Sequence, residues 1–368
     1  MKTEISPLMK RLKKASTLEY TTPLSESTFF NQAEVFPTQL PIMNLALSGS
    51  LAGGLTVGLT MLSGESKSFK SLMSLILAKS YLDKYPESIM LFADSEFGVP
   101  VSYFEMLDIP MERVLHIPIK NVEEFKFEMV NYLDNVITKD DKVVIVVDSI
   151  GNLASKREVD NALSEKSVED MTRAKQLKSV FRILTPYLTL KKIPLIAINH
   201  KYESQGLYPV DIISGGKGIY LSSSTIWIIT RSKEKEGTDL AGYNFTIKVE
   251  KSRYVKEGSK FPITVKFEGG IEKYSGLLDI ALASGVVVSE SKGFYQKTNL
   301  NTGEVLEQKY RRKATMNDAF WTDILASKRF NQWLESEYMI GSDGKKLFRE
   351  TNNQIDDSSL DDDEGETE

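Results

Sequence analysis

A short segment between two apolar runs carries residue types that bind phosphate groups. Small and polar residues follow an apolar run that ends at Leu62, and a helical pattern covers residues 72–82. In this order the first N–H groups of the helix point toward the loop, and the helix dipole adds positive charge there. The segment predicts a phosphate-binding loop, in which Lys70 contacts the β- and γ-phosphates and the Ser71 hydroxyl holds Mg²⁺. Its residues are Gly64, Glu65, Ser66, Lys67, Ser68, Phe69, Lys70 and Ser71.

The segment departs from the usual phosphate-loop pattern at one position. The pattern G-x-x-x-x-G-K-[ST] requires glycine where this chain has Phe69. An ordinary turn between a strand and a helix is the alternative, and the segment alone favours neither interpretation. The residues at the other strand ends therefore decide between the two.

Length and composition exclude several classes of protein. A chain of 368 residues can bury one large core and a smaller second one. It contains no cysteine and two histidines, which excludes disulfide bonds, zinc–thiolate sites and histidine-rich metal sites. No apolar run approaches the roughly 20 residues of a membrane span, and residues 1–14 lack the apolar stretch of a secretory signal. We therefore expect no membrane partner.

The C-terminal tail, residues 351–368, is strongly acidic. Between Asp356 and Glu368 it has eight acidic residues and no basic residue. The remaining chain has 46 basic and 43 acidic residues, so its balance is slightly positive. We expect a disordered tail. It either only improves solubility or competes with a polyanionic partner for the rest of the chain.

Apolar runs in the middle of the chain predict a fold of the α/β class. Four runs are apolar on both faces, which is typical of parallel strands covered on both sides. These runs span residues 59–63, 89–93, 143–147 and 195–198, with helical patterns at 125–136 and 167–184. Three later runs have no helix between them and should pair antiparallel at one edge. They span residues 225–230, 245–249 and 261–267. The expected fold is a mostly parallel, twisted sheet with an antiparallel edge.

The two ends of the chain differ from this core, which we place at residues 36–270. Residues 1–35 form an arm whose first fifteen residues predict an amphipathic helix with a basic face. An arm of this size must dock on the body or on another subunit. Residues 271–350 predict a small α-rich C-terminal domain. Its predicted helices span residues 277–283, 320–325 and 330–338.

Polar side chains follow three of the predicted parallel strands. The carboxyl ends of such strands meet at one edge of the sheet, where ligands bind. Asp148 follows a β-branched run and would hold Mg²⁺ with Ser71, although a turn cap is the alternative. Glu96 could orient and deprotonate a water that attacks a phosphate, with Asp94 as its competitor. His200 either caps its strand or senses the terminal phosphate.

Three further features have two interpretations each. Tyr103 either stacks on adenine or belongs to the core, and its position alone favours the core. The polar segments 154–166 and 201–218 leave the same sheet edge, and loops of this length are usually functional or disordered. Lys251 and Arg253 are two residues apart and project to one face of a strand. They form either a solvated face or a pair of cations that reaches a neighbour's nucleotide.

Six strings of residues match a known family. On these strings the chain resembles the RecA-type recombinases, and in particular their bacteriophage branch, over nearly its whole length. The phenylalanine at position 69, in place of glycine, resembles a feature of that branch. The strings are Gly64-Glu65-Ser66-Lys67-Ser68-Phe69-Lys70-Ser71, Phe92-Ala93-Asp94-Ser95-Glu96-Phe97-Gly98, Asp148-Ser149-Ile150-Gly151-Asn152-Leu153-Ala154-Ser155-Lys156, Asp170-Met171-Thr172-Arg173-Ala174-Lys175, Ala197-Ile198-Asn199-His200 and Val249-Glu250-Lys251-Ser252-Arg253.

The resemblance implies a RecA-type P-loop ATPase core that uses ATP and Mg²⁺. Glu96 is similar to the catalytic glutamate of the family, and Tyr103 to its adenine-stacking tyrosine. His200 stands where bacterial members have a glutamine that couples ATP to DNA. Lys251 and Arg253 resemble the catalytic cation pair that crosses the subunit interface. The two long loops resemble the DNA-binding loops. Their implied contacts are Arg173, Gly215, Gly216 and Lys217.

The implied function is ATP-dependent homologous pairing and strand exchange on single-stranded DNA. The implied partners are single-stranded DNA, homologous duplex DNA and further copies of the chain in a head-to-tail helical filament. Phage single-strand-binding and mediator proteins are further expected partners, in the cytoplasm of a bacterial host. A RecA-fold ring helicase and a non-catalytic mediator paralogue are the alternatives.

Overall fold

A mixed sheet of ten strands lies at the centre of the residues that the structure describes. The structure is a computed structural model that describes residues 5–27, 34–164, 172–203 and 211–341. The predicted helix start at Ser167, the middle of the 201–218 loop and the acidic tail lie outside these residues.

The strands and helices alternate over most of the described chain, as the predicted α/β class requires. The strands are β1 (Val35–Phe36), β2 (Leu55–Thr56), β3 (Gly58–Gly64), β4 (Ile89–Asp94), β5 (Val114–Pro118), β6 (Val143–Asp148), β7 (Pro194–Glu203), β8 (Asp211–Ile213), β9 (Thr225–Glu236), β10 (Asp239–Lys251), β11 (Lys260–Lys266), β12 (Gly270–Ile271), β13 (Val287–Ser291), β14 (Phe294–Thr298) and β15 (Val305–Arg311). The helices are α1 (Pro7–Ala15), α2 (Pro41–Ser48), α3 (Lys70–Lys84), α4 (Val101–Met106), α5 (Val122–Asn131), α6 (Lys156–Leu163), α7 (Thr172–Leu190), α8 (Lys217–Ser222), α9 (Leu277–Ala283), α10 (Asp318–Ala326) and α11 (Lys328–Tyr338). A π-helical turn, Tyr132–Val136, continues α5.

The central sheet has a parallel part and an antiparallel part. Six neighbouring strands run parallel in the order β9, β3, β7, β6, β4, β5. Beyond β9 the sheet continues through β10, β11 and β12 in antiparallel pairs. The short strand β8 pairs antiparallel with the end of β7. This topology confirms the predicted mostly parallel sheet with an antiparallel edge.

Helices cover both faces of the parallel strands. On β6, Val144 and Val146 pack into one hydrophobic cluster with α2 and α3, whereas Ile145 and Val147 pack into another with α5 and α7. Successive strand residues point to opposite faces, so a strand covered on both sides is apolar at every position. This packing explains why the strands are visible in the sequence as continuous apolar runs.

Two predicted loops contain regular structure. Helix α6 occupies much of the 154–166 segment, and a capping box between Ser155 and Glu158 starts it. The strands β7 and β8 and the first turn of α8 occupy most of the described part of the 201–218 segment. Each predicted loop therefore contains regular structure over part of its length.

The C-terminal part packs on the central sheet. The three predicted helices are present as α9, α10 and α11, and a three-stranded antiparallel sheet of β13, β14 and β15 lies between α9 and α10. Trp321 and Phe330 are buried in the same cluster as Phe245 and Ile247 of β10.

The N-terminal helix differs, because no residue of α1 is buried. None of the described helices is long and apolar enough to cross a membrane.

Candidate nucleotide-binding site

The predicted phosphate-binding loop connects the end of β3 to the start of α3. Gly64 ends the strand, and a Cβ atom there would lie 2.6 Å from the Ile229 carbonyl oxygen and 2.7 Å from the Ser68 hydroxyl. Only glycine fits so close an approach. The Ser68 hydroxyl donates to the Glu65 carbonyl at 2.7 Å and tightens the loop. Helix α3 then begins at Lys70, so its free N–H groups face the loop.

The Lys70 side chain folds back over this loop. Its Nζ donates to the carbonyl oxygens of Gly64 at 3.1 Å and Glu65 at 2.6 Å, and to Ser68 Oγ at 3.3 Å. Burial lowers the pKa of Lys70, while the carboxylates of Glu96 and Asp148 oppose this shift. The ammonium group is thus held in a partly dehydrated position, where it can exchange carbonyl oxygens for phosphate oxygens.

Asp148 ends β6 and lies almost completely buried beside this loop. Burial raises its pKa to about 6, while the Ser71 hydroxyl lowers it. Two buried side-chain atoms of the described residues have no hydrogen-bond partner. They are Asp148 Oδ1 and the Oγ of Ser63 in β3. A buried carboxylate oxygen without a partner is unusual in a protein interior. A carboxylate and a hydroxyl are ligands that Mg²⁺ prefers, so Asp148 and Ser71 fit the predicted metal.

Glu96 follows β4 and accepts three hydrogen bonds at one oxygen. Ser149 Oγ donates to its Oε1 at 2.6 Å and Asn152 Nδ2 at 3.0 Å, and His200 Nε2 lies 2.9 Å from the same oxygen. The contact with His200 is the main cause that lowers the pKa of Glu96, and Ser149 and Lys70 add to it. The carboxylate is therefore ionised at neutral pH and oriented from three sides.

Asp94, the competitor of Glu96, faces away from the site. Its Oδ1 accepts the backbone N–H groups of Glu96 at 3.1 Å and Phe97 at 2.8 Å. Its Oδ2 lies 3.3 Å from Nε2 of His116, a residue of β5. Asp94 thus fixes the turn that presents Glu96, and Glu96 alone of the two lines the adjoining cavity.

The residues predicted to bind the nucleotide line a cavity of about 160 Å³. The phosphate-loop residues from Ser66 to Ser71 line one side. The remaining lining residues are Leu72, Glu96, Gly98, Val99, Tyr103, Asp148, Ile198 and His200. Every predicted ligand of the nucleotide within one subunit, apart from Gly64 and Glu65 at the base of the loop, therefore lines the same cavity. Tyr103 is half-buried at its rim and also packs against the hydrophobic core.

His200 joins this cavity to the glycine-rich segment that follows β8. Its side chain contacts Glu96, and its carbonyl oxygen accepts the N–H of Ser214 at 3.0 Å. The neighbouring Asn199 side chain donates to the Ser214 carbonyl at 2.8 Å. Ser214 directly precedes Gly215, so the nucleotide cavity and the predicted DNA-binding segment share one hydrogen-bonded connection.

Arg173, predicted to contact DNA, makes its hydrogen bonds within the chain. Its guanidinium donates to the carbonyl oxygens of Leu153 at 2.6 Å, Gly151 at 2.6 Å and Ile150 at 3.1 Å. A further, long contact of 3.4 Å joins it to Ser214 Oγ. These contacts tie Arg173 to the backbone just before the first predicted DNA-binding segment and to Ser214 in the second, and its DNA contact stays a prediction.

The other predicted DNA contacts lie at the start of α8. Gly215 and Gly216 have backbone φ angles of 89° and 77°, which favour glycine. Gly216 and Lys217 are exposed there. A DNA contact by any of these residues stays a prediction.

Lys251 and Arg253 lie away from the cavity of their own subunit. Lys251 pairs with Ile226, which in turn pairs with Met61, three residues before the end of β3. Its Nζ donates to the carbonyl oxygen of Tyr220 at 2.7 Å, at the end of α8. Arg253 is exposed beyond the end of β10. Neither side chain lines the cavity of its own subunit.

Three site residues carry roles that the sequence does not reveal. Ser149 and Asn152 orient Glu96, and Ser214 connects the cavity to α8. All three follow strand ends at the carboxyl edge, and this position is the signal that could identify them. Their partners depend on the three-dimensional arrangement of separate strands.

Fold and site together define the class of this chain. A phosphate loop between a central parallel strand and a helix, with carboxylates at neighbouring strand ends, is the arrangement of P-loop nucleotide-binding proteins.

Comparisons with known proteins narrow this class. The model of the RecA N-terminal domain matches residues 5–272. A model described as "Bacteriophage T4, Recombination and repair protein, C-terminal domain" matches residues 274–334. The chain is 47% identical over 342 residues to the recombination and repair protein of Enterobacteria phage T4, covering 92% of this chain and 87% of that protein. It is 25% identical over 289 residues to Protein RecA of Thermus aquaticus, covering 77% and 82%. The chain belongs to the RecA family of DNA recombinases, and its C-terminal domain is that of the phage, UvsX-type branch. The predicted resemblance is confirmed.

Proposed function

We propose that this chain is a DNA-dependent ATPase that polymerises on single-stranded DNA and catalyses homologous pairing and strand exchange. One observation carries the proposal. Lys70, Asp148 and Glu96 converge on one cavity, and His200 connects this cavity to Ser214 at the start of the predicted DNA-binding segment. Such a connection is what coupling between nucleotide and DNA requires.

Each residue around the cavity has a distinct part in the proposed reaction. The loop amides and Lys70 bind the phosphates, and Tyr103 supplies an aromatic face for the base. Ser71 and Asp148 would hold Mg²⁺, which would supply positive charge to the phosphates of ATP. ATP, the substrate, supplies the phosphoryl group that is transferred to water. Glu96 accepts the proton of that water, since its carboxylate is ionised and held in place.

DNA is bound at the same edge of the sheet. Backbone amides of Gly215 and Gly216 and the Lys217 side chain contact the phosphates of the strand. Arg173 keeps the two DNA-binding segments together. Affinity that depends on phosphate contacts falls steeply with salt, and base pairing between the DNA strands then selects homologous duplex.

Neighbouring subunits complete the nucleotide site. Lys251 and Arg253 lie far from their own cavity and reach the cavity of the next subunit. Exposed apolar residues of α1, among them Leu8 and Leu12, contact another subunit. Such head-to-tail contacts generate open helices. Lys251 reaches its neighbour only after it leaves the Tyr220 carbonyl, so assembly also changes α8.

The biological setting follows from the phage relative. We place the protein in the cytoplasm of a bacterial host, in phage recombination, repair and recombination-dependent replication. Phage single-strand-binding and mediator proteins are its proposed partners.

The test measures DNA-stimulated ATP turnover and strand exchange with homologous DNA. Lys70→Ala should abolish turnover, because the phosphates lose their cation, whereas replacement of the exposed Lys120 by alanine should not. Turnover that survives Lys70→Ala contradicts the assignment of the loop. Unwinding by closed rings would identify a helicase instead, and strand pairing without ATP turnover in the native chain would identify a mediator.

A further inference from the structure

The phosphate-binding loop contains two non-glycine residues with a left-handed backbone. Lys67 has φ 61° and Phe69 has φ 67°. This region disfavours residues that carry a Cβ atom, and Phe69 occupies the position where the usual pattern has glycine. The conformation of the loop therefore needs support from contacts outside the loop.

A projecting hairpin provides a wall beside the loop. Strand β3 ends at Gly64, where it pairs with Ile229 of β9. Strand β9 continues to Glu236, and β10 returns antiparallel to it. Arg231 and Phe245 are directly opposite each other in this hairpin, two residues beyond the level of Gly64. Opposite residues of two antiparallel strands project from the same face.

Both left-handed residues contact this hairpin. The Phe69 ring stacks on the ring of Phe245, with centroids 4.8 Å apart and an angle of 16° between the planes. Arg231 Nη1 donates to the Lys67 carbonyl oxygen at 3.2 Å. The Arg231 guanidinium lies 4.8 Å from the centre of the Tyr243 ring, which holds it in place. The hairpin therefore holds the loop at both strained positions.

We propose that Phe245 and Arg231 are positioning residues for nucleotide binding. In this proposal the Phe69–Phe245 stack stabilises the left-handed backbone that the usual glycine adopts without support. The inference rests on the proposed function, since it assumes that ATP binds to this loop. The stack keeps the Phe69 backbone left-handed, so that the Phe69 N–H and the Lys70 side chain stay directed at the phosphates. The stacking of the two rings contributes stabilisation beyond that from the burial of each ring.

The experiment separates this positioning role from core packing. Phe245→Leu keeps an apolar side chain of similar size but loses the stacked face. We expect the KM for ATP to rise about tenfold, equivalent to about 1.4 kcal/mol, with a smaller change in kcat. Adding Phe69→Gly to this variant should return the KM to within about threefold of the native value, since glycine adopts the left-handed backbone without an anchor. Phe267→Leu is the matched control, because it makes the same substitution at a ring that packs against Tyr243 and takes no part in the Phe69–Phe245 stack.

The outcomes distinguish the inference from the proposed function. A native chain that neither binds a fluorescent ATP analogue nor hydrolyses ATP would overturn the proposed function. A native chain that binds ATP, together with a Phe245→Leu variant of unchanged KM, would overturn the inference alone. The same holds if Phe69→Gly fails to rescue Phe245→Leu, because a pure packing defect is not repaired by removing a second ring. The melting temperature of each variant shows that the compared chains are folded.

Discussion

The residues around the cavity are arranged for binding charged groups at the expense of stability. Asp148 is buried, its Oδ1 has no partner among the described residues, and its pKa is raised to about 6. A buried carboxylate destabilises the folded chain unless a cation or hydrogen bonds compensate. A variant of Asp148 can therefore show whether this position costs the folded chain stability, as expected of a buried metal ligand.

Replacing Asp148 by asparagine should stabilise the chain at neutral pH. A carboxyl whose pKa is higher in the folded than in the unfolded chain holds its proton more tightly when folded. The protonated carboxyl therefore stabilises the folded chain at low pH, and this stabilisation is lost as the pH rises from about 4 to about 6. Asp148→Asn removes this loss, so the unfolding free energy at pH 7.5 should rise by about 2–3 kcal/mol. Urea unfolding at pH 7.5 and pH 4.5 measures the difference.

The gain should shrink at the lower pH, where Asp148 is protonated in the folded chain. The exposed Asp140→Asn variant, which changes the same group without burial, should show neither effect. A stabilisation of Asp148→Asn that is equal at both pH values would contradict the assigned cause.

Glu96 should control hydrolysis and leave nucleotide binding nearly intact. Glu96→Gln keeps the size of the side chain and loses the base, so turnover should fall at least about 100-fold. Binding of a fluorescent ATP analogue should change little, because Lys70 and the loop amides remain. Glu105→Gln in α4 is the control, an exposed glutamate on a neighbouring element. Loss of nucleotide binding and turnover in equal measure would argue for a structural role instead.

At the scale of elements, the buried parallel strands could be predicted and the half-exposed ones could not. The central strands β3, β4, β6 and β7 are apolar on both faces, so the sequence marks them. Strand β5 lies at the sheet edge with Leu115 and His116 half exposed. Strands β13, β14 and β15 each have only two adjacent apolar residues, followed by polar ones. Helix α6 has a readable signal, the Ser155 to Glu158 capping pattern.

The site shows the same limit. Strand ends place Lys70, Glu96 and Asp148 at one edge, because the carboxyl ends of parallel strands must meet there. The contacts of Arg173 and of Phe69 depend on residues distant in sequence, and no local pattern encodes them. The resemblance implies a DNA contact for Arg173, which stays a prediction, and its hydrogen bonds to three carbonyl groups could not be read from the sequence.

The contacts of α7 and α8 predict different salt responses for Arg173 and Lys217. Lys217 is exposed, and the proposed function gives it a direct phosphate contact, so Lys217→Met should reduce the slope of log affinity against log salt by about 0.7. Arg173→Met loses the links to Gly151 and Ser214 and should weaken single-stranded DNA binding at every salt concentration, with the native slope retained. Fluorescence anisotropy across a salt series measures both slopes. A reduced slope for Arg173→Met would instead support its predicted phosphate contact.

At the scale of the molecule, the proposed cation pair lies outside the cavity of its own subunit. The cavity is lined by Glu96, Ser71 and Asp148 but by neither Lys251 nor Arg253, and Lys251 pairs with the start of β9, away from the carboxyl ends of the strands. Helix α1 likewise leaves Leu8, Met9 and Leu12 exposed. An exposed apolar surface and a displaced cation pair have the same explanation if subunits join head to tail, because each subunit then covers the arm and completes the site of its neighbour.

Mixed filaments test this sharing of residues. Arg253→Ala and Lys70→Ala should each be inactive alone, since every site lacks either the neighbour's cation or the phosphate ligand. In an equal mixture a site is complete when an Arg253→Ala subunit supplies the loop and a Lys70→Ala subunit supplies Arg253, which gives about a quarter of the native turnover for random assembly. The control replaces Lys70→Ala by the Lys70→Ala/Arg253→Ala double variant, which adds subunits but no cation and should restore nothing. Equal turnover in both mixtures would mean that Arg253 acts within its own subunit.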